Sequence, residues 1–209
     1  MQNIKTLGII GGTFDPVHYG HLTAAECARC AFNLDKVIFM LSAQPPHKKR
    51  QDISGSEERL TMLKQAVADN PAFEISTLEL ERKGYSYTVD TIQYYLDTYP
   101  EVNIYFILGA DALLLINTWK EVTRLVRLCQ FIAVARPGYR LDRSDIAFKN
   151  VPEMLWENLH LVEMPGNLVS SSDIRDRVKN GETIKYLVPP PVEQYIYKKG
   201  LYRAKELNS

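Results

Sequence analysis

Two histidines three residues apart, His18 and His21, follow a pair of glycines, Gly11 and Gly12, and present the clearest chemistry in the chain. The glycines allow the backbone to turn sharply and to approach a ligand closely. Residues three apart lie on the same side of a helix, so both imidazoles would face one ligand from the first helical turn. An apolar run at residues 7–10 precedes the motif, which predicts a strand-to-helix loop. The N–H groups at such a helix start bind phosphate, so the pattern predicts a loop that binds and activates a nucleoside triphosphate.

Apolar runs of strand length alternate with helical patterns along the rest of the chain. Strands are predicted at residues 4–10, 37–41, 73–76, 104–108, 131–135 and 159–164, with 78–83 continuing the third strand. Helices are predicted at residues 20–33, 56–69, 89–98, 112–116, 118–128 and 170–180, and from 190 onward. We expect an α/β, Rossmann-like fold in which a doubly wound parallel sheet lies between two helical layers, a three-layer α/β/α single domain. This domain is expected to span residues 1–209, with 182–209 as a C-terminal helical extension.

Ligands bind such sheets at the carboxyl ends of the strands, where the strand order switches. Four polar segments follow predicted strands: residues 11–21, the basic run 45–50, residues 109–111 and residues 170–175. They are therefore predicted to meet at one edge of the sheet. There, Lys48 is a candidate phosphate ligand, the Asp111 carboxylate a candidate acceptor for ribose hydroxyls, and Arg175 part of a second phosphate seat.

Composition excludes several classes of function. Lysine plus arginine and aspartate plus glutamate both count 25, so no global positive field favours nucleic-acid binding. No apolar run approaches the roughly 18 residues of a membrane helix. Three cysteines, an odd number, are typical of a reducing compartment. We expect a cytoplasmic protein that binds neither membrane nor nucleic acid.

Two other interpretations of the motifs fail on geometry. The His18/His21 pair and the Cys27/Cys30 pair could together supply four zinc ligands. In one helix, however, His21 and Cys30 would lie about 13.5 Å apart at ~1.5 Å per residue. A zinc ion about 2 Å from each ligand cannot span that distance, so helix packing is the favoured role for the cysteines.

A dinucleotide oxidoreductase would need a Gly-x-Gly-x-x-Gly loop, which residues 8–20 do not contain.

Residues 11–21 resemble the His-x-Gly-His signature of the nucleotidyltransferase superfamily, and residues 169–175 resemble its second signature, Ile-Ser-Ser-Thr-x-Ile-Arg. Three further segments are similar to bacterial nicotinate-nucleotide adenylyltransferases: residues 45–48, residues 85–91, and residues 109–111 with Trp119. Lys120 departs from the pattern, because family members often carry an aromatic residue or histidine there. The resemblance extends over residues 7–175.

The resemblance implies adenylyl transfer from ATP to nicotinate mononucleotide, with Mg²⁺ bridging the triphosphate. His18 and His21 would steady the phosphates, while Lys48 and Arg175 would offset negative charge. The residues implied in ATP binding are Gly11, Thr13, Phe14, Gly109, Asp111, Val169, Ser170 and Ser171. Those implied in nicotinate mononucleotide binding are Tyr87, Thr88 and Trp119, with no metal ligand from the protein. Alternatives are another phosphate acceptor, nicotinamide mononucleotide or phosphopantetheine, or a non-catalytic nucleotide sensor, and a homo-oligomer is compatible with each.

Overall fold

The computed structural model of the chain describes residues 4–43, 53–82, 85–166 and 169–204. Within this part, six strands, labelled β1 to β6, span Thr6–Gly12, Lys36–Leu41, Phe73–Ser76, Asn103–Gly109, Gln130–Ala135 and Leu159–Glu163. The α-helices of the same residues, α1 to α9, span Tyr19–Phe32, Ser56–Val67, Leu78–Glu81, Thr88–Thr98, Ala110–Leu113, Val122–Leu128, Met154–Glu157, Ser171–Lys179 and Pro190–Lys199. Short 3₁₀ turns span Ile116–Thr118 and Ile146–Phe148. No helix of the described residues is long and apolar enough to cross a membrane.

The strands form one sheet in the order β3-β2-β1-β4-β5-β6, and every neighbouring pair is parallel. Ile9 at the centre of β1 pairs with Ile38 on one side and Phe106 on the other. The strand order changes direction between β1 and β4, which places the ligand crevice of a doubly wound sheet beyond the carboxyl end of β1. The predicted α/β, Rossmann-like parallel sheet is confirmed.

Two apolar cores lie on opposite faces of the sheet, because successive strand residues point to opposite sides. Ile10 of β1 belongs to one core, with residues of α1, α2, α8 and α9. Ile9 belongs to the other, with residues of α4, α5, α6 and α7. Strands buried on both faces account for the near-continuous aliphatic runs in the sequence, and the cores confirm the predicted three layers.

Several predicted elements differ in detail from the structure. Residues 78–83 were expected to extend β3, but Leu78–Glu81 form the short helix α3. The Ser76 hydroxyl accepts the Leu78 N–H at 3.3 Å and turns the chain away from the sheet. Helix α5 begins directly after Gly109, and α6 begins only at Val122. The polar stretch 139–158 contains α7 and a 3₁₀ turn.

The C-terminal segment returns to the edge of the sheet that carries the His18 loop. Helix α9 packs against α2 and is followed by Gly200, whose left-handed φ of +63° ends the helix. The N–H of Tyr19, the first residue of α1, donates to the Leu187 carbonyl at 3.1 Å. Residues near both ends of the chain therefore meet next to the histidine motif.

Candidate nucleotide-binding site

A cavity of about 1170 Å³ opens at the carboxyl edge of the sheet. Its volume lies slightly above the upper end of the roughly 300–1,000 Å³ that is usual for a ligand pocket. The structure brings most of the predicted site residues together around it. Those on its wall are Gly11, Thr13, His18, His21, Tyr87, Thr88, Gly109, Asp111, Trp119, Val169, Ser170 and Ser171. Lys48 and its neighbours in residues 45–48 lie outside the described residues.

Phe14 lies beneath the first loop and is not among the residues that line the cavity, so its predicted role in ATP binding stays a prediction. The residue is only 1% exposed, and its left-handed φ of 48° turns the ring into the core. Its ring meets the His21 ring edge-on at a centroid distance of 5.0 Å. A Cβ atom at Gly12 would lie 2.9 Å from the Phe14 ring, so this position needs glycine. Phe14 therefore supports His21 from the core side.

The two histidines stack against each other at the start of α1. Their ring centroids are 3.8 Å apart, and His18 is the residue that precedes the first turn of the helix. The His18 backbone N–H donates to His21 Nδ1 at 3.3 Å, which puts the His21 ring proton on Nε2. A Cβ atom at Gly20 would lie 2.9 Å from the His18 ring, so Gly20 makes room for that ring.

Burial sets the charge of His18. The residue is 6% exposed, and desolvation lowers its pKa from 6.5 to about 4. The imidazole is therefore neutral at pH 7. It can bind an anion by hydrogen bonding, but it does not bring a positive charge to the site.

The start of α8 forms a second wall. Ser170 caps this helix, since its hydroxyl accepts the Asp173 N–H at 3.1 Å. The Ser171 hydroxyl donates to the Pro16 carbonyl at 2.9 Å and ties the helix to the histidine loop. The helix start faces a cavity lined by Ser170 and Ser171, an arrangement that suits a phosphate.

Arg175 lies behind this wall instead of among the residues that line the cavity. Its Nη1 donates to the Asp15 carbonyl at 2.8 Å, and its Nη2 donates to the Ser172 hydroxyl at 3.3 Å. The structure thus shows Arg175 bracing the histidine loop. Its predicted contact with a phosphate stays a prediction.

The loop after β4 forms the wall where the adenosine is predicted to bind. A Cβ atom at Gly109 would meet nothing within 4 Å, so the backbone is open to a ligand there. Asp111 follows on the first turn of α5 and is exposed to the cavity. Sequence reasoning missed Arg136 and Tyr139, which line the cavity from the loop after β5. Their position directly after a parallel strand was the signal that could have found them.

The start of α4 and Trp119 form the remaining wall. Tyr87 precedes α4, and no side chain of the described residues caps this helix. Its first N–H groups can therefore donate hydrogen bonds to an anionic ligand. The Trp119 ring stands edge-on against Phe106 at 5.5 Å. Lys120 Nζ lies 4.3 Å from the centre of the Tyr87 ring and 3.8 Å from Asp90 Oδ2. The charge of this unusual lysine is therefore offset by carboxylates, since Glu121 Oε1 also lies 3.9 Å from its Nζ.

Glu79, which sequence reasoning also missed, is a buried acid on the same wall. It is 7% exposed, and its Oε1 accepts the Thr91 hydroxyl at 3.0 Å. Burial raises the pKa of Glu79, while the hydrogen bond from Thr91 acts in the opposite direction. Because Thr91 belongs to α4, Glu79 fixes this helix against α3 beside the cavity.

Arg59 of α2 holds the loops of the site together from below. It is 2% exposed, and its Nη1 donates to the carbonyls of Thr13 at 2.8 Å and Ser42 at 2.9 Å. Its Nε donates to the Ser54 carbonyl at 3.1 Å. Burial lowers the pKa of Arg59, and the nearby Asp15 carboxylate opposes this effect. The buried guanidinium of Arg59 thus links the loop after β1 to Ser42 and Ser54.

The cysteines of α1 take no part in the cavity wall. Cys27 is half-buried and Cys30 is exposed, and the Arg29 guanidinium lies 3.4 Å from Cys30 Sγ. Among the described residues, no group of three or more histidine, cysteine, aspartate or glutamate side chains is placed to hold a metal ion.

The parallel sheet and the histidine loop at its carboxyl edge define an α/β nucleotidyltransferase. Residues 9–177 match the model of the cytidylyltransferase-like family. A protein of Moorella thermoacetica described as a "probable nicotinate-nucleotide adenylyltransferase" is 52% identical over 198 residues, covering 94% of this chain and 91% of the relative. A protein of Thermoanaerobacter with the same description is 45% identical over 209 residues, covering 100% of this chain and 99% of the relative.

Solved structures agree on the fold. A Plasmodium falciparum nicotinic acid mononucleotide adenylyltransferase complexed with NaAD superposes with a TM-score of 0.77 at 23% identity, covering 95% of this chain and 97% of the other. Since these two sequences are so different, that likeness carries the fold alone. The sequence relatives, at 45% and 52% identity over nearly the whole chain, also show the family. The chain belongs to the nicotinate-nucleotide adenylyltransferases of the cytidylyltransferase-like family. The family resemblance predicted from the two signatures is confirmed.

Proposed function

We propose that this chain transfers the adenylyl group of ATP to nicotinate mononucleotide, giving nicotinate adenine dinucleotide and pyrophosphate in NAD biosynthesis. One observation supports this most directly. A single cavity is lined by the stacked His18 and His21 rings, by the start of α8, and by the uncapped start of α4. The first two suit a triphosphate, and the third suits a further anion.

In the proposed reaction, an oxygen of the acceptor's 5′-phosphate forms a bond to the α-phosphorus of ATP. The bond from that phosphorus to the bridging oxygen breaks, and pyrophosphate leaves with the electron pair. Such a step needs little covalent help from side chains, so positioning and charge stabilisation provide the catalysis. The rigid loop around His18, tied to α8 through Ser171, supplies that positioning.

The neutral state of His18 determines how it is proposed to bind the phosphates. An uncharged imidazole can donate one hydrogen bond to a phosphate oxygen without the cost of burying a cation. His21 is proposed to donate from Nε2, because its Nδ1 accepts the backbone N–H of His18. Positive charge is then proposed to come from Mg²⁺, from Lys48 and Arg175, and from Arg136, which lines the cavity.

Mg²⁺ is proposed to enter with ATP as part of the substrate. Among the described residues, the carboxylates on the cavity wall are Glu79 and Asp111, and neither belongs to a metal-binding cluster. Magnesium commonly keeps several waters and takes its other ligands from substrate phosphates. The residues present therefore fit a metal carried by the triphosphate, where it would neutralise charge on the leaving group.

Recognition of the acceptor is proposed to reside at α4 and Trp119. The carboxylate of nicotinate would accept hydrogen bonds from the N–H groups at the start of α4, near Tyr87 and Thr88. The cationic pyridine ring would stack on Trp119. A nicotinamide group would direct its NH₂ donors at the same N–H donors, and unpaired groups of this kind cost ~10² or more in specificity.

The test is a steady-state assay of pyrophosphate release by the purified chain with ATP and Mg²⁺. Nicotinate mononucleotide, nicotinamide mononucleotide and phosphopantetheine serve in turn as acceptors. We expect kcat/KM to be at least ~10²-fold higher with the nicotinate compound than with either of the others. Equal rates with both pyridine nucleotides would refute the proposed carboxylate site. ATP binding with no release of pyrophosphate in the presence of any of the three acceptors would favour a nucleotide sensor.

We further propose that Lys48 contacts a substrate phosphate and that the protein is cytoplasmic. It is also proposed to bind no nucleic acid and to form a single domain over residues 1–209. Gel filtration with light scattering would decide whether the chain is a homo-oligomer.

A further inference from the structure

The carboxylate of Asp15 lies buried in the middle of the histidine motif, three residues before His18. Asp15 is 2% exposed, and a buried carboxylate is costly unless hydrogen bonds replace its water. The Tyr202 hydroxyl donates to Asp15 Oδ1 at 2.6 Å, and the Ser54 N–H donates to Oδ2 at 3.1 Å. The first of these donors comes from the far C-terminal end of the described chain, 187 residues away in sequence.

Tyr202 is itself held in an unusual conformation. Its φ of 64° lies in the left-handed region, which a bulky side chain rarely adopts. Such a conformation persists where surrounding contacts fix it. Burial, and then the charge of Asp15, raise the pKa of Tyr202, so the phenol keeps its proton and donates a hydrogen bond to the carboxylate.

Four of the five residues from Asp15 to Tyr19 are held by contacts with a remote part of the chain or by burial. The Asp15 carbonyl accepts a hydrogen bond from the Arg175 guanidinium, and the Pro16 carbonyl accepts one from the Ser171 hydroxyl. The Tyr19 N–H donates a hydrogen bond to the Leu187 carbonyl. Val17 is fully buried. Tyr202 is the contact that fixes the Asp15 side chain from the C-terminal segment, and His18 is the cavity-lining residue that this stretch of backbone carries.

We propose that Tyr202 is a positioning residue, which sets the placement of the His18 and His21 rings by holding the buried Asp15 carboxylate. Residues 200–204 are then part of the support of the active site. Loss of the Tyr202 hydroxyl leaves Asp15 Oδ1 without its donor in a water-poor setting. The loop then shifts to satisfy the carboxylate, and His18 moves with it. This inference rests on the proposed adenylyl transfer.

The test compares Tyr202→Phe, which removes one hydroxyl, with Tyr197→Phe as a matched control. Tyr197 lies on α9 in the same C-terminal segment and is 37% exposed. We expect kcat of Tyr202→Phe to fall about 10- to 100-fold, since displacement by ~1 Å can cost that much. The KM for ATP should stay within about threefold, because the backbone contacts of the other walls remain. The control should keep the wild-type kcat.

Proton NMR of the histidine rings supplies a readout that does not need turnover. Since the His18 and His21 rings stack at 3.8 Å, any change of placement alters the resonances of both. We expect both to shift in Tyr202→Phe, while the resonance of His160, which lies on β6, stays in place. All measurements are made well below the melting temperature of each variant, so that a lowered stability alone changes neither readout.

Asp15→Asn alters the same hydrogen bond from the other partner. It should lower kcat to a similar extent, and the double variant should be no slower than the slower single variant, since both changes remove one interaction. Wild-type kcat and unshifted His18 and His21 resonances in Tyr202→Phe would overturn the proposal, even if the melting temperature fell. Wild-type protein that is inactive with nicotinate mononucleotide would instead refute the proposed function, and the NMR comparison would still decide the positioning role.

Discussion

The depressed pKa of His18 leads to a quantitative prediction about acid stability. The pKa falls from 6.5 to about 4 on burial of the ring in the folded protein. Between these two values the unfolded chain binds a proton on His18 that the folded protein does not bind. The stability conferred by the neutral ring is therefore complete above about pH 6.5 and is lost as the pH falls towards 4. At about 1.36 kcal/mol per pKa unit, the whole effect is about 3 kcal/mol, of which about 2 kcal/mol is lost by about pH 5.

The assay is urea unfolding followed by tryptophan fluorescence, at about pH 7.5 and about pH 5, for wild type and His18→Gln. The wild type should lose about 2 kcal/mol more unfolding free energy than the variant over this interval. Glu79, whose pKa is raised by burial, acts in the opposite direction, but it is present in both proteins and cancels in the comparison. The same pH dependence in both proteins would show that the folded state does not suppress protonation of His18.

Three further predictions concern the residues around the loop. His18→Ala should lower kcat at least ~10²-fold with an unchanged circular-dichroism spectrum, because the site acts electrostatically; a near wild-type kcat would remove His18 from the phosphate site. Gly20→Ala should lower kcat about tenfold or more, since its Cβ would lie 2.9 Å from the His18 ring, whereas Gly166→Ala, with contacts no nearer than 3.8 Å, should not. Arg59→Met should lower the unfolding free energy, measured in urea, by about 3 kcal/mol, because buried carbonyls lose their donor. The matched change at an exposed arginine, Arg124→Met, should cost less than ~1 kcal/mol. Equal losses would refute the bracing role of Arg59.

Local patterns were sufficient to predict the framework of the molecule. Continuous aliphatic runs such as residues 7–10 mark strands buried on both faces, and they predicted the parallel sheet. The glycines and histidines of residues 11–21 are contiguous, so their loop and its helix could be predicted together. The helix predicted at residues 170–180 is likewise present, and the structure adds that the Ser170 hydroxyl caps it on the Asp173 N–H.

Long-range partners could not be predicted in the same way. In sequence, Arg59 resembles any exposed helical arginine, yet its partner Thr13 lies 46 residues away and the site loops enclose it. Tyr202 and Asp15 are 187 residues apart, and no local pattern links them. Phe14 was placed with the ATP ligands because it lies inside the motif, but a left-handed backbone turned its ring into the core. Which side of a loop a residue faces depends on tertiary contacts.

The central claim is that the cavity transfers an adenylyl group to an acceptor that carries a carboxylate. The most direct measurement is a single turnover with ATP labelled at its α-phosphorus, Mg²⁺ and nicotinate mononucleotide, in which the products are separated and counted. We expect the label to appear in nicotinate adenine dinucleotide, in step with pyrophosphate release and with no labelled protein. Label that remains in ATP despite saturated binding would contradict the account, and so would label that passes equally well to nicotinamide mononucleotide.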